Sequence, residues 1–476
     1  MFALLVIPPI LAIILLNLPA KILKKLAFPL AALLLIMQIV LAVKPAWADS
    51  LLAKSVAARL QPFQFLADNL TMVMLLTIAI VGLVSLSVCR KLIADESRRF
   101  NFINLLLLAT IGMNGVVMVS DLFSLYVFLE ITAVSSFILI VFHREREAFE
   151  GSFKYLLLSA IATVMLLSAL AFILLFAGGT SFVAVAAALQ KSAGHPLLLL
   201  AMTMFVGGLL IKGGLVPFHG WLPDAYSSAP APVSVLLAGI VTKTTGIYTL
   251  LRVVMNVFGF TPALQNILLF VGALSIVVGA LAALGQSDFK RMLAYSSISQ
   301  VGYIVLSFGT GTALGLAGAI FHLFNHSIFK ALLFINATAV EAQTGLRDMN
   351  KMGGLSDRMP ITGITSLIGF LSTAGVPPLS GFFSKLVIIL ALWQAHFYGY
   401  AVIATLASIL TLAYFLLLQR RVFFGKSVTP DFDDVKEASL WVIVPAVVLA
   451  LITIGVGICV PFVMDTIILP VKNFLW

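Results

Sequence analysis

The chain has 476 residues, of which 61% are hydrophobic and only 10% are charged. Soluble domains carry about 25% charged residues, so this composition excludes a soluble globular protein, a disordered chain and a disulfide scaffold. A membrane-spanning helix needs about 20 apolar residues, and the sequence therefore predicts an all-α polytopic membrane protein.

Apolar runs between charged or Pro/Gly breaks predict about fourteen spans. In chain order they cover residues 2–18, 26–43, 71–89, 101–119, 121–142, 156–177, 197–217, 232–252, 263–284, 292–309, 313–339, 360–395, 400–418 and 440–460. A connection of mixed polarity is expected at 44–70. Residues 46–48 resemble a signal-peptide cleavage site, but two apolar segments precede them without a basic start, so we expect no cleavage.

The 29 Lys and Arg residues are distributed unevenly about these spans. With the N-terminus outside, most fall on the inner side, and the outer side carries Lys44, Lys54, Arg59, Lys191, Arg252 and Lys472. The positive-inside rule then predicts a multi-pass protein of the cell inner (plasma) membrane with both termini outside. The same bias explains the net charge of +10 without a nucleic-acid partner.

The sequence offers no ligand set for a cofactor or a metal. Cys89 and Cys459 are too few and too far apart for an iron–sulfur cluster or a zinc site. We find neither a phosphate-binding loop nor a dinucleotide fingerprint. We therefore expect no cofactor in this chain.

Four lysines and one glutamate lie inside predicted spans, namely Lys212, Lys243, Lys330, Lys385 and Glu130. A charge at mid-bilayer costs at least ~2.5–3.5 kcal/mol, so these residues are candidates for an ion path. Snorkelling toward an interface remains open for Lys330 and Lys385, which lie near span ends. The other three lie deeper.

Two pairs of segments resemble each other, and they indicate an internal repeat. Residues 153–157 match 329–333, and the Gly-x-x-Pro-x-x-Gly-aromatic pattern of 214–221 returns at 375–382. The step is five spans, and an odd step inverts the second copy, as in many transporters. The expected units are residues 1–100, 101–258 (first repeat), 259–420 (second repeat) and 421–476.

Glycine and proline predict that spans 7 and 12 are broken helices. The interruptions are Gly213, Gly214 and Pro217 in the first, and Gly375, Pro377, Pro378 and Gly381 in the second. Unpaired backbone groups in a membrane are tolerated only against protein or water. Each break therefore predicts an internal polar cavity.

The charges near the first break suggest a proton path. Glu130 and Lys212 have opposite sign, so pairing would offset desolvation, and separation would favour release of a proton from Lys212. A static buried ion pair is the alternative. Lys243 is a second proton carrier, because burial disfavours the charged form of a lysine.

His322, His326 and Lys330 follow an i, i+4, i+8 spacing and share one helical face. Histidine suits a proton relay near neutral pH, whereas a purely structural histidine is the alternative. Haem ligation is excluded because axial ligands must approach the iron from opposite sides. Lys385 follows the second break and would end the path.

Two further polar residues, His219 and Asp224, follow the first break. They suit a proton entrance or a loop-fixing role equally well, and both interpretations remain open.

Four segments together, 212–243, 289–303, 321–334 and 375–385, resemble the antiporter-like, proton-translocating membrane subunits. These occur in respiratory complex I, energy-converting membrane hydrogenases and Mrp-type cation/proton antiporters. The resemblance covers roughly residues 70–420. It implies fourteen helices, two inverted five-helix repeats, broken seventh and twelfth helices, and a mid-membrane chain of ionisable residues.

The resemblance also implies residue roles. Glu130 and Lys212 look like the fifth-helix glutamate and its seventh-helix partner, and Lys243 looks like the eighth-helix lysine. The eleventh-helix histidines and the twelfth-helix lysine would be His322, His326 and Lys385. Some members carry glutamate at that last position. The end at Trp476 implies that no long lateral helix follows span 14.

The expected function is proton translocation within a redox-driven complex. The chain would be non-catalytic, with other membrane subunits and a soluble redox arm as partners. A sodium-driven subunit of an Mrp-type antiporter is the alternative, and direct quinone reduction is a third. The segment from 217 to 234 favours the hydrogenase-like and complex I-like members.

Overall fold

The computed structural model describes residues 1–18, 21–47, 65–192, 194–426, 432 and 434–469, and this part of the chain is nearly all helical. Its longer helices are α1 Phe2–Leu16, α2 Lys21–Val43, α3 Asn69–Leu92, α4 Glu96–Met118, α5 Leu122–Ile140, α6 Arg146–Ala177, α7 Phe182–Lys191, α8 Pro196–Lys212, α9 Trp221–Ser228, α10 Ala231–Phe258, α11 Pro262–Leu284, α12 Phe289–Phe308, α13 Ala313–Thr344, α14 Pro360–Ala374, α15 Ser380–Gln394, α16 Tyr398–Phe424 and α17 Leu440–Ile458. Most of the predicted connection at 44–70, the end of the 46–48 segment, and Lys54, Arg59 and Lys472 lie outside the described residues.

Every predicted apolar segment coincides with a helix, and in the described part of the chain ten helices are long and apolar enough to cross a membrane. The protein is therefore a multi-pass membrane protein. Helix α7 was not predicted, because its ten residues are too few for a span. It begins after Ser181, whose side chain accepts a hydrogen bond from the amide of Ala184.

Both predicted helix breaks are confirmed. Helix α8 ends at Lys212, and Gly214 adopts a φ of +65°, where a side chain would also meet Leu222. The chain resumes as helix at α9. Helix α14 ends before Gly375, whose φ is +87°, and α15 begins at Ser380. Each break contains a cis peptide bond, before Pro217 and before Pro378.

The core lies around two buried helices, α10 and α13, whereas α2 and α6 expose most of their apolar surface. Helix α10 contains three π-helical segments, Leu237–Val241, Lys243–Tyr248 and Val254–Phe258. Single π turns concentrate at functional sites. The two buried helices carry most of the candidate lysines and histidines.

Arg252, which the predicted topology places toward the outer side of the membrane, lies buried inside the helix bundle. Its side chain is only 1% exposed, and its guanidinium donates to both carboxylate oxygens of Asp68, at 2.5 and 2.8 Å. Its Nε donates to the hydroxyl of Tyr248 at 3.0 Å. Burial alone would raise the pKa of Asp68. The hydrogen bonds and the positive charge of Arg252 outweigh burial and hold this pKa below its ordinary value. The pair is therefore ionised at neutral pH.

We expect Asp68→Ala to lower the free energy of unfolding by about 3–5 kcal/mol, because it leaves Arg252 buried without a counter-charge. Thermal unfolding of the detergent-solubilised protein measures this effect. The double variant Asp68→Leu with Arg252→Leu removes both charges and should recover most of the stability. Equal losses in the single and double variants would contradict the argument.

Candidate functional site

Glu130 and Lys212 form the ion pair that the sequence suggested. The ammonium of Lys212, at the last residue of α8, lies 3.0 Å from Oε1 of Glu130 on α5. Two hydroxyls on α6 complete the site: Thr163 donates to Glu130 at 2.7 Å, and Ser159 accepts from Lys212 at 3.2 Å. The pair therefore joins α5, α6 and the first helix break.

Lys243 is completely buried in the middle of α10. Its ammonium donates to the carbonyl of Ala238, which lies in the preceding π-helical segment. The first break packs directly on the same helix, because a side chain at Gly246 would overlap the backbone of Gly213. Contact between these two glycines brings the Lys212 segment against the helix that carries Lys243.

The rings of His322 and His326 are nearly parallel, at 3°, with their centroids 6.2 Å apart. This arrangement confirms the shared helical face. Nδ1 of His322 lies 2.9 Å from the hydroxyl of Ser384, while both ring nitrogens of His326 have no hydrogen-bond partner within the described protein. Lys243 and Lys330 both lie within electrostatic reach of His326.

Lys330 and Lys385 do not snorkel to an interface. Lys330 is 0% exposed, and its ammonium donates to the hydroxyl of Ser296 at 2.6 Å and to the carbonyl of Leu293 at 3.1 Å. Lys385 is also buried, and its ammonium lies 4.7 Å from the ring centroid of Tyr303. Both charges are held inside the helix bundle.

Asp224 lies away from these buried groups, in a cavity of about 620 Å³ that opens at the surface. Its carboxylate pairs with Lys154 at 2.6 Å and with Arg291 at 2.9 Å. These contacts tie α9 to α6 and α12, which supports the loop-fixing interpretation. His219 is half-buried in the short turn Phe218–Gly220. A proton entrance at these two residues stays a prediction.

Sequence reasoning missed the hydroxyl groups that contact the candidate side chains, those of Ser159, Thr163, Ser296 and Ser384, and it also missed the ring of Tyr303 beside Lys385. Serine and threonine are common in spanning helices, so residue type alone gives no signal. Among the described residues, no group of three or more His, Cys, Asp or Glu side chains could hold a metal ion.

Comparison with known proteins places this arrangement among ion-translocating membrane proteins. A family described as "NADH:quinone oxidoreductase/Mrp antiporter, TM" matches residues 119–411. A Na(+)/H(+) antiporter subunit from Alkalihalophilus pseudofirmus is 34% identical over 82% of this chain and 79% of that protein. An NADH-quinone oxidoreductase subunit from Desulforudis audaxviator is 35% identical over 74% of this chain and 71% of that protein.

Solved structures agree. The membrane-bound sulfane sulfur reductase, an archaeal respiratory membrane complex, contains a chain with 27% identity and a TM-score of 0.85, covering 99% of this chain and 96% of that chain. In the Mrp complex from Dietzia sp., a chain with 24% identity shares the fold at a TM-score of 0.88, covering 100% of this chain and 97% of its own. This chain belongs to the NADH:quinone oxidoreductase/Mrp antiporter family of membrane proteins.

Proposed function

We propose that this chain is the proton-translocating subunit of a larger redox-driven membrane complex, of the complex I or energy-converting hydrogenase type. The path would run from Glu130 and Lys212 through Lys243 to His326 and His322, and end at Lys385. The chain itself would hold no redox cofactor. Electron transfer in other subunits would drive the movement of protons.

The observation that carries this proposal is the burial of four lysines in a membrane protein: Lys212, Lys243 and Lys385 on the path, and Lys330 beside it. Burying a charge is expensive, and polar groups that persist inside a membrane usually serve an ion path. A lysine without a fixed counter-charge releases its proton more readily than an exposed one. Of these four, Lys212 alone has a carboxylate partner among the described ion pairs.

The Glu130–Lys212 contact would be the switch. While the ion pair is closed, the carboxylate stabilises the protonated lysine. When the pair opens, the ammonium loses that stabilisation, and its proton can pass through water toward Lys243. The adjoining helix break provides backbone freedom for such a movement. A static ion pair is the competing interpretation, and variants at Glu130 distinguish the two.

The architecture proposed with this function has fourteen spans. Residues 101–258 and 259–420 would form two inverted repeats, preceded by 1–100 and followed by 421–476. Both termini would lie outside the cell inner membrane. The two matching helix breaks and the clustering of lysine and arginine on one side support this topology.

Other membrane subunits would be the partners. One of them would bind over Glu130 and shield its carboxylate from lipid. Its carboxylate is 27% exposed in the isolated chain. The neighbouring side chains on the same face of α5, Val127 and Val134, are exposed and apolar. A carboxylate in lipid is costly, so a second membrane subunit on this face would enclose the ion pair. A soluble redox arm would attach through such subunits.

An Mrp-type antiporter subunit is the second candidate. Identity to the Na(+)/H(+) antiporter subunit from A. pseudofirmus is 34%, against 35% to the NADH-quinone oxidoreductase subunit from D. audaxviator. In that case a sodium gradient would take the place of electron transfer. Direct quinone reduction is a third candidate, and specific crosslinking of a photoreactive quinone to this chain would support it.

Affinity purification of this chain from native membranes in mild detergent, followed by mass spectrometry, tests the proposal. Soluble subunits with iron–sulfur, flavin or nickel sites should co-purify with a redox-driven pump. Recovery of small membrane subunits alone would refute the redox assignment and support the antiporter. Lys243 would then be examined for sodium exchange.

We expect Lys330→Ala to reduce proton translocation only partly. Its ammonium bonds Leu293 and Ser296 rather than a member of the main path. His326 still connects Lys243 with His322 in this variant. Proton uptake by vesicles carrying the assembled complex is the measurement. A loss as complete as that of Lys243→Ala would show that Lys330 belongs to the main path.

A further inference from the structure

Helix α14 carries a buried polar stripe that the proposed path does not use. It consists of Thr362, Thr365, Ser366, Ser372 and Thr373, all buried. The stripe runs from the start of the helix to the second break, and such a stripe alone is common in packed helices. The stripe on α14 is unusual because polar atoms without hydrogen-bond partners lie in it and beside it.

Polar atoms of three buried side chains in and beside this stripe lack hydrogen-bond partners within the described protein. These are the hydroxyl of Ser366, both amide atoms of Gln419 on α16, and Nδ2 of Asn336 on α13. All three side chains are at least nine-tenths buried. Buried polar atoms in proteins are almost always hydrogen-bonded, to protein or to internal water. Internal water is the partner that such atoms commonly take when protein offers none.

Helix register brings these groups together. Phe370 of α14 stacks on Phe415 of α16 at 5.9 Å, and a side chain at Gly363 would touch Phe423. Ser366 and Gln419 each lie one turn from the stacked rings, on the same side, so they face each other between the two contacts. On the other flank, the hydroxyl of Thr365 donates to Oδ1 of Asn336 at 3.2 Å.

The cluster reaches toward one membrane face through Glu437, which lies just before α17. Its carboxylate accepts hydrogen bonds from the amides of Ile361 and Thr362 and, at 2.5 Å, from the hydroxyl of Thr362. Thr362 lies one turn before Ser366 on α14. We name this side of the protein, where α14 and α17 begin, the Glu437 face.

On its inner side the cluster approaches Lys330. The ammonium of Lys330 lies 5.8 Å from the ring centroid of Phe415. The stacked rings of Phe370 and Phe415 therefore separate the polar cluster from the lysine. We propose that waters held by Ser366, Gln419 and Asn336 form an accessory proton-access branch from the Glu437 face toward Lys330, closed at its inner end by this aromatic pair.

The branch rests on the proposed function for its role, but its hydration can be measured without any pumping. A thiol reacts with a water-soluble methanethiosulfonate only where water reaches its ionised form. We would introduce Ser366→Cys into the full chain within its native complex, after replacing the exposed Cys459 with serine. The reagent would be a small, membrane-impermeant methanethiosulfonate, added to vesicles of known sidedness.

Ala446→Cys is the matched control. Ala446 is the seventh residue of α17, as Ser366 is of α14, and both are small, buried and close to the Glu437 face. All residues within one turn of it along α17 are apolar. Asp434→Cys, at an exposed position near Glu437, marks the face that the reagent reaches.

We expect Ser366→Cys to react at least about tenfold faster than Ala446→Cys, and only from the Glu437 face, because a hydrated site holds water that a dry one excludes. Gln419→Cys should react as fast as Ser366→Cys. If the complex with Ser366→Cys does not assemble, the rate of Gln419→Cys is the test. Equal rates at positions 366, 419 and 446, or reaction from the opposite face, would overturn the branch. Hydrated positions 366 and 419 in a complex that moves no protons would instead refute the proposed function.

Discussion

Lys243→Ala is expected to abolish proton translocation while the complex still assembles. Lys243 is the buried charge that lies between the Glu130–Lys212 pair and the histidines of α13, and no carboxylate neutralises it among the described ion pairs. Alanine cannot carry a proton across that gap. Loss of an obligatory proton-transfer group lowers a rate by about 100-fold or more.

Lys243→Arg separates proton transfer from charge. Arginine keeps the positive charge but does not release its proton in proteins. We therefore expect this variant to be as inactive as Lys243→Ala. Thr249→Val is the control on the same helix, because Thr249 is buried and its hydroxyl donates to the backbone carbonyl of Thr244. The measurement is dye-monitored proton uptake by vesicles carrying the complex. Normal uptake by Lys243→Ala would contradict the proposed proton path.

Glu130→Ala is expected to abolish translocation for a different reason. The variant leaves the ammonium of Lys212 with Ser159 as its remaining hydrogen-bond partner, without a counter-charge. The affinity of Lys212 for its proton then no longer depends on opening and closing of an ion pair. The switch is lost, although every other proton carrier remains. Assembly should survive, because one side of Glu130 is already exposed in the isolated chain.

Two further variants separate the charge of Glu130 from its hydrogen bonds. Glu130→Gln keeps the size and the hydrogen bonds of the side chain but removes its charge, so it should be as inactive as alanine. Thr163→Val removes one hydrogen bond to the carboxylate and leaves the ion pair, so we expect an intermediate rate. Full activity of Glu130→Gln would show that the ion pair is a static structural contact.

Much of the fold could be predicted because the membrane simplifies the problem. Spans must be long, apolar and helical, and Gly and Pro must mark the places where a helix stops. The breaks at Gly214 and Gly375 were therefore visible as residue types. Helix α7 was not, since a helix of ten residues is too short to be recognised by the length of its apolar run.

The charges of the site were predictable, but their partners were not. A buried lysine or glutamate in an apolar run is conspicuous because it is costly. The environment of each charge depends on which helices are neighbours, and that information is not local in sequence. The place of Arg252 at the end of a predicted span gave no indication that Asp68 is its partner. The spacing of Tyr248, Arg252 and Asn256 at every fourth residue was the available signal for a buried partner.

The π-helical turns of α10 have a consequence for the tolerance of this helix to insertion and deletion. Each wide turn accommodates one residue more than an α-helical turn, and one residue corresponds to a rotation of about 100°. The far end of the helix is anchored by the Arg252–Asp68 pair, and its near half by the bond between Thr242 and Tyr226. Deleting one residue from 244–248, between these two anchors, would remove that extra residue from the second π-helical segment, so either Thr242 with the adjoining Lys243 or Arg252 must rotate away from its neighbours. Length, as much as residue identity, is therefore fixed in this helix.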